Sequence, residues 1–138
     1  RDDVKSRGLG DVYKRQESER AYTCLKMAWI YRGKAESLPE DTPDRKEQIQ
    51  ELQNQEKELL ENAYTGFEAA FSKESFPMCG MDEITVSYLL AELARRIGRY
   101  EESSRWISRV LISREANERI KNRAREIKEL LNKDMNRA

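Results

Sequence analysis

The side chains that most often perform chemistry in proteins are scarce in this sequence. It contains no histidine, and therefore lacks the usual general base and the commonest metal ligand. Its two cysteines, Cys24 and Cys79, are far apart, which fits neither a paired zinc-ligand spacing nor a CxxC redox motif. Asp82 and Glu83 are adjacent carboxylates without a partner acid, base or ligand, so we interpret them as residues that begin a helix. The sequence therefore predicts a protein that is not an enzyme and a chain that binds no metal or cofactor.

The composition favours a helical protein of about one domain. The chain has 138 residues and a net charge of zero, and 38% of its residues are charged. Ala, Glu, Lys, Leu and Arg supply about half of it, which is typical of proteins built from long helices. No apolar run has the length of a membrane span, and the charged start lacks the apolar segment of a signal peptide. With two unpaired thiols, these features predict a soluble protein of the cytoplasm.

The first 16 residues differ from the rest of the chain. They show no apolar period of a helix or a strand, and Gly8 and Gly10 interrupt them. The string from Gly8 to Gln16 resembles a translated sequencing-adapter scar at the ends of metagenomic reading frames. We therefore expect residues 1–16 to be a non-native or disordered leader, residues 17–138 to be one domain, and the natural protein to have lost its start.

Apolar residues recur at steps of three and four in five segments, which predicts five helices. The first runs from about residue 19 to residue 33. The second is one long helix from residue 44 to about residue 75, with Thr42 as its N-cap. Gly66 lies inside this helix, where glycine costs about 1 kcal/mol relative to alanine. We interpret it as the site of a close helix crossing.

The last three helices follow a loop that contains Pro77. Asp82 suits the N-cap of the third helix, and Gly98 is expected to end it. The fourth helix follows so closely that the two form an antiparallel hairpin. The fifth, from about residue 115 to residue 136, has one narrow apolar face, which is typical of a helix that caps the end of a domain.

Small residues recur where neighbouring helices are expected to meet. They are Ala28, Ala63, Ala70, Ala91 and Ser103. In helices three and four their spacing is similar to the tetratricopeptide pattern, and helices one and two match it with a long insertion. The predicted fold is all-α, with tetratricopeptide-like antiparallel helix hairpins, one long inserted or extended helix, and a C-terminal capping helix.

Several short strings also resemble a known family. They are MAWIYR at residues 27–32, FP at 76–77 with GMDE at 80–83, and EL at 92–93 and RRIGRY at 95–100 with WISRV at 106–110. Over residues 21–131 the sequence resembles the bacterial family named domain of unknown function 2225. That resemblance implies tetratricopeptide-like helices behind a cysteine-rich, zinc-ribbon-like N-terminal section, without an established activity. Only the helical section is matched, so the resemblance implies no metal ligand here, and any zinc site is expected upstream of this chain.

The charges of the two halves are opposite. Residues 36–92 hold four basic and fourteen acidic groups, and residues 93–138 hold thirteen and seven. One interpretation of the basic half is a surface for nucleic acid, centred on Arg95, Arg96, Arg99, Arg105, Arg109 and Arg114. The other is a solvated helix face with i,i+4 ion pairs, namely Glu92–Arg96, Glu101–Arg105, Glu115–Arg119 and Glu129–Lys133. We favour the second, because aromatic residues for base stacking are lacking. Electrostatic attraction between the two halves, either within one chain or head-to-tail between two copies, stays open.

Eight residues are candidates for binding a partner, because the first helix of each tetratricopeptide-like hairpin lines the concave face. They are Tyr22, Leu25, Trp29 and Arg32 on helix one, and Tyr88, Glu92, Arg95 and Arg96 on helix three. Aromatic and arginine side chains are frequent interface anchors, although an aromatic residue on a helix is more often part of a core. The sequence therefore predicts a non-catalytic protein-protein interaction module for a peptide or protein. The alternative is a regulatory, nucleic-acid-associated protein that uses its Arg-rich helices.

Overall fold

The structure is a computed structural model that describes the backbone of residues 2–137 and the side chains of residues 17–137. These residues form five α-helices joined by loops, and no strand. The helices are α1 (Asp2–Glu36), α2 (Arg45–Lys73), α3 (Glu83–Arg96), α4 (Tyr100–Ile112) and α5 (Glu118–Arg137). The predicted all-α fold is confirmed, whereas the tetratricopeptide-like detail stays a prediction.

Helix α1 begins well before the point at which its apolar period starts. The period starts near residue 19, whereas the helix begins at Asp2. Extending an existing helix is far easier than nucleating one, so residues without an amphipathic pattern can continue it. That residues 1–16 are non-native stays a prediction, and their side chains lie outside the described part of the chain.

Helices α1 and α2 form a long antiparallel hairpin. At one end Lys73 Nζ lies 3.6 Å from Glu17 Oε1, and towards the other end Arg32 donates to Glu56 over 2.6 Å. The first half of α2 contains the half-buried Ile49 and Leu52 among exposed residues, so it packs on one side only. From Leu60 onward α2 contributes five buried side chains to the core: Leu60, Ala63, Tyr64, Phe67 and Ala70.

Gly66 lies at a close approach between these two helices. A Cβ added at Gly66 would lie 2.8 Å from the Cβ of Ala21 and 3.5 Å from the carbonyl oxygen of Glu17. Carbon atoms in ordinary contact are about 3.5–4.0 Å apart. Any side chain here would therefore push α1 away, which confirms the predicted close crossing.

The small residues face neighbouring helices as predicted. Ala28, Ala63, Ala70 and Ser103 are 0% exposed, and Ala91 is 1% exposed. The hydroxyl of Ser103 donates to the carbonyl oxygen of Ala91 over 2.8 Å, so this polar group is satisfied inside the α3–α4 hairpin. Short side chains at these positions allow the helices to pack closely.

The start of α2 differs from the prediction. Its N-cap is Asp44, in a left-handed conformation with φ of 53° and without a side-chain cap bond, so the assignment of Thr42 was wrong. The backbone N–H of Thr42 donates to the carbonyl oxygen of Pro39, which places Thr42 in a turn ahead of the helix. Such a turn depends on backbone angles that residue preferences do not specify.

The boundaries of α3 agree with the prediction. Asp82 is its N-cap, and the Asp82 Oδ1 accepts from the backbone N–H of Thr85 over 2.8 Å. Hydrogen bonding from the Thr85 side chain, together with this backbone hydrogen bond, lowers the pKa of the Asp82 carboxyl. Beyond the last turn, Gly98 has φ of 85°, which glycine adopts without strain, and the short link allows α4 to return along α3.

Two apolar clusters share α3. The first joins α1 and α2 to one side of α3, with Leu25, Phe67 and Leu90 among its buried residues. The second joins α3, α4 and α5, and its buried residues are Ala91, Ile107, Val110, Ala124, Ile127 and Leu131. Only one face of α5 contributes to it, so α5 covers the end of the domain as predicted.

Candidate interaction surface

Four predicted partner-binding residues lie on α1, where their exposure differs. Tyr22 is half-buried against the first cluster, whereas Trp29 is 49% exposed. Arg32 is mostly covered and pairs with Glu56 of α2. Leu25 is only 2% exposed, because it lies on the side of α1 that packs into the core, and its side chain is not available to a partner. The accessible part of the predicted α1 surface therefore consists of Tyr22, Trp29 and Arg32.

Trp29 lies in a short stretch of α1 that exposes large apolar side chains to solvent. Met27 is 41% exposed and Ile30 is 57% exposed, so three large apolar side chains meet solvent within four residues. Met27 and Ile30, three residues apart, share one side of the helix and form a candidate binding surface, whereas Trp29 lies on a different side from Met27. Trp29 also lies one turn before Arg32, so an indole and a guanidinium occupy one side of the helix.

Two of the four predicted residues of α3, Tyr88 and Arg95, contact α5. Tyr88 packs against the second cluster near Glu126, and burial raises the pKa of its phenol. The side chain of Arg95 is only 12% exposed, and it donates to Glu92 over 3.0 Å and to Asp134 of α5 over 2.9 Å. Burial lowers the pKa of Arg95, but these two carboxylates outweigh it and raise the pKa overall. Tyr88 and Arg95 therefore hold α5 in place.

Arg96 is the exception on α3. Its guanidinium lies 2.5 Å from Glu92 Oε1, and 38% of its side chain is exposed. This is the predicted Glu92–Arg96 pair. The other three predicted i,i+4 pairs have no ion-pair contact within 4.0 Å among the described residues.

Arg32, Arg95 and Arg96 meet at one cleft of about 350 Å³, to which all five helices contribute. We call it the five-helix cleft. Its lining residues are Arg32, Glu56, Lys57, Leu60, Arg95, Arg96, Tyr100 and Asp134. The structure thus brings together three of the eight predicted residues, and Trp29 lies one helical turn from one of them, Arg32.

The five-helix cleft carries more positive than negative charge. Four of its lining side chains are basic and two are acidic. Arg32 and Arg95 are held by the two carboxylates, whereas Lys57 has no ion-pair partner among the described residues, and Arg96 is partly exposed. Arg32 and Arg95 are therefore cations held in fixed positions, and Lys57 and Arg96 are cations that an acidic group of a partner can reach.

The sequence did not identify every residue of this cleft. Glu56 and Lys57 lie in the thinly apolar half of α2, Tyr100 begins α4, and Asp134 lies near the end of α5. Their polarity follows no helical period that distinguishes them from other surface residues. Only the packing of distant segments places them together.

The predicted basic surface is divided in the structure. Arg95 and Arg96 belong to the five-helix cleft, whereas Arg105 and Arg109 line a second pocket between α2 and α4. Arg99 is paired with Glu102 at 3.6 Å. These arginines therefore do not form one continuous strip.

The residues that the structure describes offer no metal site. No group of three or more Cys, Asp or Glu side chains there could hold a metal ion, and Cys24 and Cys79 are both free thiols. No described helix is both long enough and apolar enough to cross a membrane.

Comparison with known proteins identifies a family. The model of a family described as an uncharacterized protein conserved in bacteria, DUF2225, matches residues 9–131. This is the family that the strings in the sequence resemble, and the match begins earlier than residue 21, where we expected it. No curated protein matches the chain, and no solved structure matches it.

Proposed function

The chain belongs to the DUF2225 family of uncharacterised bacterial proteins, and we propose that it is a non-catalytic protein-interaction module. In this proposal the helices form a tetratricopeptide-like scaffold in the cytoplasm. The scaffold presents the accessible edge of α1 and the five-helix cleft to a peptide or protein partner. The proposed contact residues are Tyr22, Trp29, Arg32 and Arg96.

The observation that carries the proposal is the position of Trp29. Its side chain is 49% exposed although Leu25, one turn earlier on the same side of α1, is buried in the core, and Trp29 lies one turn before Arg32 of the five-helix cleft. Tryptophan and arginine are the residues most enriched in interface hot spots. A rigid helix also holds the indole in place before binding, which reduces the entropy lost on association.

The charge of the cleft favours a partner segment that combines an acidic and an apolar residue. The carboxylate would lie near Lys57 and Arg96, and the apolar side chain would pack on Trp29 and Ile30. Absence of histidine supports a non-catalytic role. The free thiols of Cys24 and Cys79 support a reducing compartment.

The proposal is tested by selecting peptides from a displayed random library against the folded chain. The affinity of the enriched peptide is then measured by fluorescence anisotropy. Trp29→Ala is expected to weaken binding about 30-fold, which corresponds to the roughly 2 kcal/mol of an interface hot spot. Arg96→Ala is the second variant. Arg96 is chosen because its side chain is partly exposed, whereas removal of the Arg95 side chain would also disturb α5.

Ile112→Ala is the matched control, since Ile112 is an 81% exposed apolar residue at the end of α4. It should bind the enriched peptide as the unaltered chain does. The proposal fails if Trp29→Ala binds equally well or if Ile112→Ala loses as much affinity. A labelled nucleic acid tested in parallel distinguishes the alternative role, because its binding would fall steeply with salt and survive Trp29→Ala.

A further inference from the structure

A second pocket lies between α2 and α4, away from the five-helix cleft. Its volume is about 240 Å³, and we call it the α2–α4 pocket. Its lining residues are Tyr64, Glu68, Glu102, Arg105, Trp106 and Arg109. This volume is below the range of about 300–1,000 Å³ that accommodates drug-sized ligands, so only a small molecule would fit.

The inner part of the pocket is built around a buried phenol. Tyr64 is 0% exposed, its hydroxyl donates to Glu68 Oε2 over 2.9 Å, and it accepts from Trp106 Nε1 over 3.2 Å. Burial and the carboxylates of Glu102 and Glu68 raise the pKa of Tyr64, so the phenol stays neutral. These bonds fix the hydroxyl and the indole as parts of the pocket wall.

One carboxylate oxygen at this site lacks a donor. Glu102 Oε2 is buried from solvent and has no hydrogen-bond donor, because the single hydroxyl proton of the nearby Tyr64 is donated to Glu68. Its nearest cation is Arg99, whose Nη1 lies 3.6 Å away, beyond hydrogen-bonding distance. A buried carboxylate oxygen without a hydrogen bond is costly, and a cationic donor such as an ammonium group would satisfy it.

The outer part of the pocket offers the complementary charge. Arg105 has no ion-pair partner among the described residues. Arg109, one turn later, lies 5.0 Å from the ring centre of Phe71 and 5.6 Å from that of Trp106, and it too has no carboxylate partner within that part of the chain. These ring contacts hold the Arg109 guanidinium in position without neutralising it. The pair can therefore bind a carboxylate.

From this arrangement we infer that the α2–α4 pocket binds a small zwitterion of the α-amino acid class. The ligand's ammonium group donates to Glu102 Oε2, and its carboxylate contacts Arg105 and Arg109. The two glutamates and two arginines that line the pocket supply charges of both signs, which suits a ligand that carries both an ammonium and a carboxylate group. The indole of Trp106 provides an apolar surface for the ligand's side chain.

The test uses the chain with Trp29→Phe, in which Trp106 is the only tryptophan. Each free L-amino acid is titrated while Trp106 emission is followed, and binding is confirmed by calorimetry. At least one should saturate a single site. If L-leucine binds, isoamylamine is the analogue that lacks its carboxylate, and isocaproate is the analogue that lacks its ammonium group. If another amino acid binds, its decarboxylated and deaminated forms take their place. Each should bind at least about tenfold more weakly.

Charge-removing variants test the geometry. Glu102→Gln and Arg105→Gln should each weaken binding of the amino acid at least about tenfold. Glu101 and Arg114 are exposed and lie outside the pocket, so Glu101→Gln and Arg114→Gln should leave the affinity unchanged. The inference is overturned if no amino acid binds the folded chain, or if the one-charge analogues bind equally well. It is also overturned if Glu102→Gln and Arg105→Gln both bind the amino acid with the affinity of the unaltered chain.

Discussion

Replacing Gly66 with alanine should destabilise the protein, although alanine is the better helix former. Inside a helix the substitution alone would gain about 1 kcal/mol. The new methyl group, however, would lie 2.8 Å from the Cβ of Ala21, at least about 0.7 Å closer than ordinary carbon contacts allow. Neither methyl group can rotate away, so α1 or α2 must shift. Overpacking of this kind costs about 1–3 kcal/mol, so we expect a net loss of up to about 2 kcal/mol.

Two further variants separate the steric effect from helix propensity. Gly33 lies in α1, and a Cβ there would meet nothing within 4 Å, so Gly33→Ala should raise the free energy of unfolding by up to about 1 kcal/mol. In the background of Ala21→Gly, the methyl group of Gly66→Ala gains space. There Gly66→Ala should become stabilising by about 1 kcal/mol.

The free energy of unfolding of the unaltered chain and of the four variants is measured by urea unfolding followed by circular dichroism. The unaltered chain, the two single variants at positions 21 and 66 and their double variant form a double-mutant cycle. The expected interaction energy is about 1–3 kcal/mol, equal to the cost of overpacking. If Gly66→Ala stabilises the chain as Gly33→Ala does, and the cycle shows no interaction, the close approach of α1 and α2 is refuted.

Three other substitutions test parts of the fold by the same unfolding assay. Asp82→Ala should cost about 1 kcal/mol, whereas Asp82→Asn should cost less because asparagine also caps helices. Since the pKa of Asp82 is lowered in the folded chain, its contribution should be complete above the usual pKa of about 3.9 and disappear as the pH falls through the lowered value. Arg95→Ala should cost about 1.5–3 kcal/mol because it leaves Asp134 unpaired, while Arg96→Ala should cost less than about 1 kcal/mol. Ser103→Ala should cost about 0.5–1.5 kcal/mol through loss of its buried hydrogen bond.

Local features of the fold could be predicted from the sequence. The cap at Asp82, the end of α3 at Gly98 and the buried position of Ala91 each depend on neighbouring residues or on a helical period. The start of α2 could not be predicted, because the turn before it depends on the backbone angles of Asp44 rather than on a residue preference.

The candidate site was less accessible to prediction. Helical spacing placed Leu25 and Trp29 on one side of α1, but only the packing of α2 and α3 decides that Leu25 is buried while Trp29 is exposed. The acidic partners Glu56 and Asp134 come from segments far apart in the chain. The spacing of residues along the sequence does not indicate that Glu56 and Asp134 lie in the same cleft.

The proposed interaction surface is tested most directly by an NMR titration of the isotope-labelled chain with the peptide enriched by selection. Binding through the α1 edge and the five-helix cleft predicts the largest shifts at the Trp29 indole N–H and the backbone amides of Tyr22, Arg32 and Arg96. It predicts little change at Ile112. Shifts centred on α4 or α5, with the Trp29 indole signal unmoved at saturation, would contradict the account.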